Sequence, residues 1–171
     1  MLFSATMPPK IRTLAKSILQ NPVEIRLAVS KPNEKILQSC YICYENQKTR
    51  IIQALFRESM PQKAIIFVSS KIKAKEVARL LRSMHLPVAE MHADLSQPER
   101  DRTMHAFKTG QINLLVATDI VARGIDIEDI QVIINYDVPR DVEDYVHRIG
   151  RTARADADGL AITLVSEEDQ P

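Results

Sequence analysis

The chain of 171 residues has no tryptophan, only four glycines and only two cysteines, and each scarcity excludes something. The glycines stand at 110, 124, 150 and 159. None fits the spacing GxxxxGK followed by Ser or Thr, and none fits GxGxxG, so the chain holds neither a phosphate loop nor a dinucleotide fingerprint. Aromatic residues make up 5%, which offers little platform for stacking nucleic-acid bases. The two cysteines form one CxxC, Cys40 to Cys43. No second pair completes a zinc site, and the stretch reads as a strand, where residues three apart point to opposite faces. The expectation is two packed cysteines in a reduced compartment and no metal. No apolar run approaches the roughly 20 residues that span a bilayer. The opening residues lack a basic segment followed by an apolar one, as a secretory leader requires. A cytoplasmic protein without a membrane partner is the expectation. Net charge is only +1, so any nucleic-acid surface must be local rather than global.

What is present is an alternation of strand and helix. Hydrophobic residues make up 45% and charged residues 26%, ordinary values for a globular domain with a substantial core. Short continuous apolar runs recur at Ala64 to Val68, Leu114 to Ala117, Val132 to Ile134 and Leu160 to Val165. Strands buried on both faces read this way. Helical patterns lie between them: Gln47 to Phe56, Lys71 to Met84, and Ser96 to Lys108, the last opening on Ser96 and Glu99 in capping-box spacing and followed by Gly110. This predicts an α/β fold with a mostly parallel β-sheet flanked by helices on both faces. The first thirty residues differ. Pro8 to Leu19 reads as a helix with Ile11, Leu14, Ala15, Ile18 and Leu19 on one stripe, and the polar stretch Ser30 to Lys35 reads as a linker. Residues 1–30 are therefore expected to belong apart from a main domain at 31–171.

Polar clusters follow the strands, where open α/β sheets bind ligands. Ser69 and Ser70 follow the run ending at Val68. Thr118 and Asp119 follow the run ending at Ala117 and lead into Ala122-Arg123-Gly124-Ile125-Asp126. Hydroxyls and backbone amides at helix N-termini suit phosphate oxygens, and an acid in such a loop can accept from ribose hydroxyls. The bland reading of Asp119 and Asp126 is turn or capping chemistry. Near the end stands HRIGRTAR, His147 to Arg154, with three arginines and a histidine in eight residues. Val142, Tyr145, Val146 and Ile149 share one helical face, and His147, Arg148, Arg151 and Arg154 fan over the other. The planar, permanently charged guanidinium suits phosphate; the bland reading is a solvated basic face. An arginine cluster aimed at phosphate, in a chain with no phosphate loop, describes half of a composite site.

The ordered set of motifs resembles the second, C-terminal RecA-like domain of a DEAD-box RNA helicase over nearly the whole chain. Ser4-Ala5-Thr6 resembles motif III, Ile65 to Ser70 motif IV, and Gln97 with Arg100 the QxxR element. Thr118-Asp119 with Ala122 to Asp126 is similar to motif V, and His147 to Arg154 to motif VI, which most resembles the bacterial RhlE-like branch. The resemblance implies that Arg151 and Arg154 are arginine fingers on the ATP γ-phosphate and that Asp126, beside Gly124, contacts the ribose. It implies an RNA-backbone grip through Ser69, Ser70, Gln97, Arg100, Thr118 and Asp119. Ser4, Thr6, Arg123, His147 and Arg148 would couple the site to a first RecA-like domain. That first domain would carry the phosphate loop and hold Mg²⁺, so the chain alone would hydrolyse no ATP. The stripe over residues 8–20, made for that first domain, would pair two copies in its absence. Three departures stand out: Ala153 and Ala93 where the family usually has glycine, and Asp156-Ala157 where it usually has Gly-Arg. Alanine at 153 is tolerated in a helical backbone but strained at positive φ. Two other readings come from different classes. A superfamily-2 DNA helicase or translocase usually reads differently at motif VI. A stand-alone RNA-binding domain leaves Ser4-Ala5-Thr6 without a purpose.

Overall fold

A computed structural model describes residues 34–119, 129–153 and 158–169, together with Thr13, Ser17 and Ile18. The chain divides into two units, Met1–Lys31 and Pro32–Pro171, and every described strand lies in the second. The expectations placed on Ser4, Thr6, Arg123, Gly124, Asp126, Arg154 and most of the stripe over 8–20 fall outside the described residues.

Among the described residues six strands form one sheet: β1 (Ile36–Ile42), β2 (Ala64–Val68), β3 (Val88–Met91), β4 (Leu114–Thr118), β5 (Val132–Asn135) and β6 (Gly159–Val165). Their order across the sheet is β1-β6-β5-β2-β4-β3, and every pairing is parallel. Parallel neighbours need crossovers, and among the described residues helices supply them. They are α1 (Lys48–Glu58), α2 (Lys71–Ser83), α3 (Gln97–Lys108) and α4 (Val142–Ile149). The sequence missed β3, whose four residues include Ala89 and Glu90 and carry no continuous apolar run.

Alternation along the strands sorts the core into two layers. Ile66, Val68, Val116, Ile134 and Ile162 pack on one face with Ile52 and Phe56 of α1 and Val77 and Leu81 of α2. Ile65, Phe67, Leu115 and Ile133 pack on the other with Phe107 of α3, and Ile36 and Ala161 continue that face against Ile149 of α4. Each fully buried Ile or Leu contributes roughly 1.5–3 kcal/mol, so these two layers hold the sheet. The helix starts are fixed locally. The Ser70 hydroxyl accepts from the Lys73 N–H at 3.2 Å, Glu99 accepts from the Ser96 N–H at 2.7 Å, and Asp141 accepts from the Asp144 N–H at 2.7 Å. Two cysteine expectations are corrected in part. Cys40 lies exposed on edge strand β1 and only Cys43 is half-buried, because β1 has a neighbour on one side alone.

Candidate functional site

The C-terminal ends of the parallel strands carry a line of polar side chains, as the loop positions in the sequence suggested. Ser69 and Ser70 follow β2, and Ser70 caps α2. Thr118 ends β4, half-buried, with Asp119 next to it. Beyond β3, the turn at His92 to Asp94 leads into α3. Here Gln97 is exposed and donates to Asp101 at 2.8 Å, and the Arg100 guanidinium donates to the Ala93 carbonyl at 3.0 Å. Arg100 Nε and both ring nitrogens of His92 are buried with no hydrogen-bond partner among the described residues, and His92 Nε2 lies 3.7 Å from a Glu90 carboxylate oxygen.

Helix α4 departs from the sequence reading in two ways. Val142, assigned to the packed face, is 75% exposed, because the helix is enclosed only at its C-terminal end, where Ile149 is fully buried. Arg148, assigned to an outward basic face, is buried at 3% exposure. Its Nε and one terminal nitrogen donate to the two carboxylate oxygens of Asp119 at 2.6 and 2.7 Å. The other terminal nitrogen donates to the Asp137 carbonyl at 2.7 Å and to Asn135 Oδ1 at 3.2 Å. The guanidinium also lies 5.0 Å from the centre of the Phe67 ring. A helical wheel treats a long side chain as radial, but side chains tilt toward the helix N-terminus and long ones reach along the axis. Asp119 and Arg148, read separately from sequence, thus form one bidentate pair joining the end of β4 to α4.

The segment after α4 runs past the other end of the sheet, as a crossover between parallel strands must. Gly150 closes the helix, and Arg151, half-buried, sits in the following turn. Thr152 pairs with Ile130 in an isolated bridge and donates its hydroxyl to the Ile130 carbonyl. Ala153 has φ +54° and is buried, so the condition under which alanine is strained holds here. A cleft of about 320 Å³ borders this turn, lined by Gln62, Lys63, Asp129, Gln131, Ala153 and Asp158.

Sequence reasoning missed the polar cluster that spans the sheet end between β1 and β2. Asp137 accepts from the Ser69 N–H at 2.7 Å and from Lys73 Nζ at 2.9 Å. Lys73 also donates to Glu45 at 3.0 Å. Lys48, 1% exposed, lies 2.7 Å from Glu45, 3.4 Å from Asp169 and 3.7 Å from Asp137, and 5.6 Å from the centre of the Tyr136 ring. The Ser166 hydroxyl donates to Glu45 and Asp169 at 3.1 and 2.9 Å. Burial works against every charge here, yet the pairing outweighs it. Burial would raise the Asp137 carboxyl, but the hydrogen bonds from Lys73 and Ser69 hold it below the usual range. Glu45 and Asp169 are likewise depressed against their burial, and Lys48 and Lys73 are raised against theirs. Burial pushes the Tyr136 phenol up to about 12, with help from Glu45 and Asp137. The one signal in the sequence was Asn135-Tyr136-Asp137 directly after an apolar run, which reads as an ordinary turn.

Residues 47–156 match the family described as the helicase conserved C-terminal domain. The ATP-dependent RNA helicase dbp3 of Emericella nidulans is 44% identical over 177 residues, a match covering 99% of this chain and 36% of that protein. The DEAD-box ATP-dependent RNA helicase RhpA of Helicobacter pylori is 41% identical over 97% of this chain and 34% of its own length. The chain therefore spans about a third of the length of the curated relatives it matches. Among solved structures, S. cerevisiae Dbp5 bound to RNA and ADP BeF3 superposes with a TM-score of 0.81 at 32% identity, over 98% of this chain and 45% of that one. The E. coli DEAD-box protein SrmB bound to the regulator RraA gives 0.74 at 36% identity, over 81% and 82%.

Proposed function

Since the chain belongs to the family of helicase conserved C-terminal domains, among the DEAD-box proteins, we propose that it is the second RecA-like lobe of an ATP-dependent RNA helicase. In this reading it works with a first lobe that carries the phosphate loop. The observation that carries the reading is the Arg148–Asp119 pair, which ties the arginine-bearing helix α4 to the end of β4, where Thr118 stands. One built unit thereby joins a polar strand-end surface suited to a nucleic-acid backbone with a turn presenting Arg151.

The division of labour follows from the chemistry of each group. Ser69, Ser70, Gln97, Arg100 and Thr118 offer hydroxyls, amides and a cation but no aromatic platform. They suit phosphates and 2′-hydroxyls, and so a grip without base reading. When the lobes close, Arg151 and Arg154 meet the transferring phosphoryl group, a role worth about 10³ to 10⁵ in rate. Asp126 holds the ribose. By the family resemblance, the Mg²⁺ that would neutralise phosphate charge is assigned to the first lobe. His147, Arg123, Ser4 and Thr6 serve the contact between lobes, and the stripe over 8–20 packs on the first lobe or, without it, on a second copy. The proposed compartment is the cytoplasm.

The test is turnover and duplex unwinding by the intact two-lobed protein. Arg151→Ala should cut RNA-stimulated ATP hydrolysis far more than it weakens ATP binding, because the charge it meets develops only in the closed, reacting state. Lysine should rescue poorly, lacking the fork. Near-normal stimulated turnover in the alanine variant would remove the arginine from the reaction. Unwinding of DNA duplexes in preference to RNA would move the protein to the translocase class.

A further inference from the structure

We propose that Asp137 is a positioning residue that couples the RNA grip to the arginine turn. The proposal rests on the reading of the chain as a helicase lobe. Asp137 stands two residues after the end of β5, is 5% exposed, and faces two ways at once. Its side chain holds the Ser69 N–H at 2.7 Å and Lys73 at 2.9 Å, so it fixes both the loop after β2 and the helix that Ser70 caps. Its backbone carbonyl receives the Arg148 guanidinium at 2.7 Å. Arg148 has no freedom of its own, for its remaining donors are taken by Asp119 and Asn135.

The chain of contacts is therefore continuous: Ser69, Asp137, Arg148, and then α4, which ends two residues before Arg151. Each link is short and three of the groups, Asp137, Asn135 and Arg148, are buried. Close-packed interiors do not deform continuously, so a shift of the Ser69 loop must be passed on or resisted as a whole. Asp119 supplies a second input to the same guanidinium from the end of β4. RNA backbone drawn against Ser69 and Thr118 thus acts on Arg148 from two strands, and α4 carries the result to the far end of the sheet.

A purely structural role is the competing account, and energetics argue against it. Burying a carboxylate and an ammonium is costly, and packed apolar side chains of similar volume do as well or better for stability. Stability alone therefore does not call for a carboxylate at this node. A carboxylate does supply what an apolar side chain cannot, a directional acceptor for one backbone N–H on the loop that faces the ligand.

The experiment uses the intact two-lobed protein with an oligouridylate of about 20 nucleotides, longer than the roughly 4- to 16-nucleotide footprint of single-strand-binding OB-folds. Asp137→Ala removes the links to Ser69 and Lys73 and the carboxylate 3.7 Å from Lys48. Asp137→Asn, nearly isosteric, keeps an acceptor for the Ser69 N–H and loses the charge facing Lys73. The readouts are turnover without RNA, turnover at saturating RNA, the RNA concentration for half stimulation, and melting temperature, with kinetics measured well below each melting point. The expected result for Asp137→Ala is a loss of stimulated turnover of about 5- to 150-fold, the span of ordinary couplings between sites, with RNA-free turnover near the parent value. Asp137→Asn should recover part of the stimulation. If the alanine variant fails to fold, the asparagine variant must still lower stimulation relative to the parent. Three results overturn the proposal: a lower melting point with full stimulation, an equal loss of RNA-free and stimulated turnover, or weaker RNA binding with full turnover at saturation. A parent protein that RNA does not stimulate at all overturns the functional reading itself, and the coupling falls with it.

Discussion

Breaking the Arg148–Asp119 pair is the most informative single perturbation of this fold. Arg148→Met keeps the aliphatic stem and removes the guanidinium. Two buried acceptors, the Asp137 carbonyl and Asn135 Oδ1, then lose donors that stand at 2.7 and 3.2 Å. Each unsatisfied buried group costs about 1–3 kcal/mol, with the longer bond at the lower end. The Asp119 carboxylate, 29% exposed, recovers part of its solvation, so its loss counts for less than that of a fully enclosed ion. The stacking on Phe67 adds roughly 0.5–2 kcal/mol. The total falls at about 3–5 kcal/mol, as for other buried pairs that lose one partner. A domain of this size shifts by roughly 3–5 °C per kcal/mol, so a drop of about 10–20 °C is expected. The decisive measurement is a double-mutant cycle by urea denaturation, with Arg148→Met, Asp119→Ala and the combination. If the residues act as one unit, the double variant should cost about 2–3 kcal/mol less than the sum of the singles. Additivity to within about 0.5 kcal/mol would refute the account, since groups that do not interact add.

Other outcomes follow from particular contacts. At Ala153, relief of left-handed strain, about 1–2 kcal/mol, opposes loss of a buried methyl, about 0.8 kcal/mol, and the added freedom of an unfolded glycine, about 0.4–1 kcal/mol. Ala153→Gly should therefore leave the urea midpoint nearly unchanged, while Ala153→Val should lower it sharply; a large effect of the glycine would mean that the turn is not held at φ +54°. A Cβ on Gly159 would lie 2.5 Å from the Thr152 hydroxyl and 2.9 Å from the Ala153 nitrogen, so Gly159→Ala should destabilise by about 1–3 kcal/mol, read by thermal melting; an unshifted melt would show that the β6 entry is looser than this. The carboxyls of Glu45, Asp137 and Asp169 are depressed in the folded state, so their stabilisation is complete above their ordinary values and lost as pH falls through the folded ones. Lys48 and Lys73 are raised, so theirs is complete below about pH 10 and lost as pH rises through their folded values. Melting temperature should be level between about pH 5 and 10 and fall in acid, less steeply in Asp137→Asn; a principal slope near pH 6–7 would assign the control to histidine. Phosphate release by the purified 171-residue chain with ATP and RNA should stay at background, and RNA-stimulated release would sink the composite-site reading.

Several features were legible without coordinates because they depend on local or periodic physics. Continuous apolar runs separated by amphipathic stretches require strands covered on both faces, and the parallel sheet follows from connecting them with helices. Ser96 and Glu99 marked the start of α3. The motif residues themselves, from Ser69 to Arg151, were also visible as types in a spacing. What they touch was not. Arg148 is three residues before Arg151 and chemically identical to it, yet one is locked inside the protein and the other stands in a turn. That difference arises because β4, β5 and α4, distant in sequence, bring Asp119, Asn135 and the Asp137 carbonyl to one guanidinium. Lys48 gave no sign of burial, since a lysine goes inside only when carboxylates from elsewhere meet it, and here they come from the segments before α1, after β5 and after β6. Sequence periodicity thus determined the layers, and only the tertiary structure decided which charges face solvent and which hold the strand ends together, because ion pairing depends on distance through space rather than along the chain.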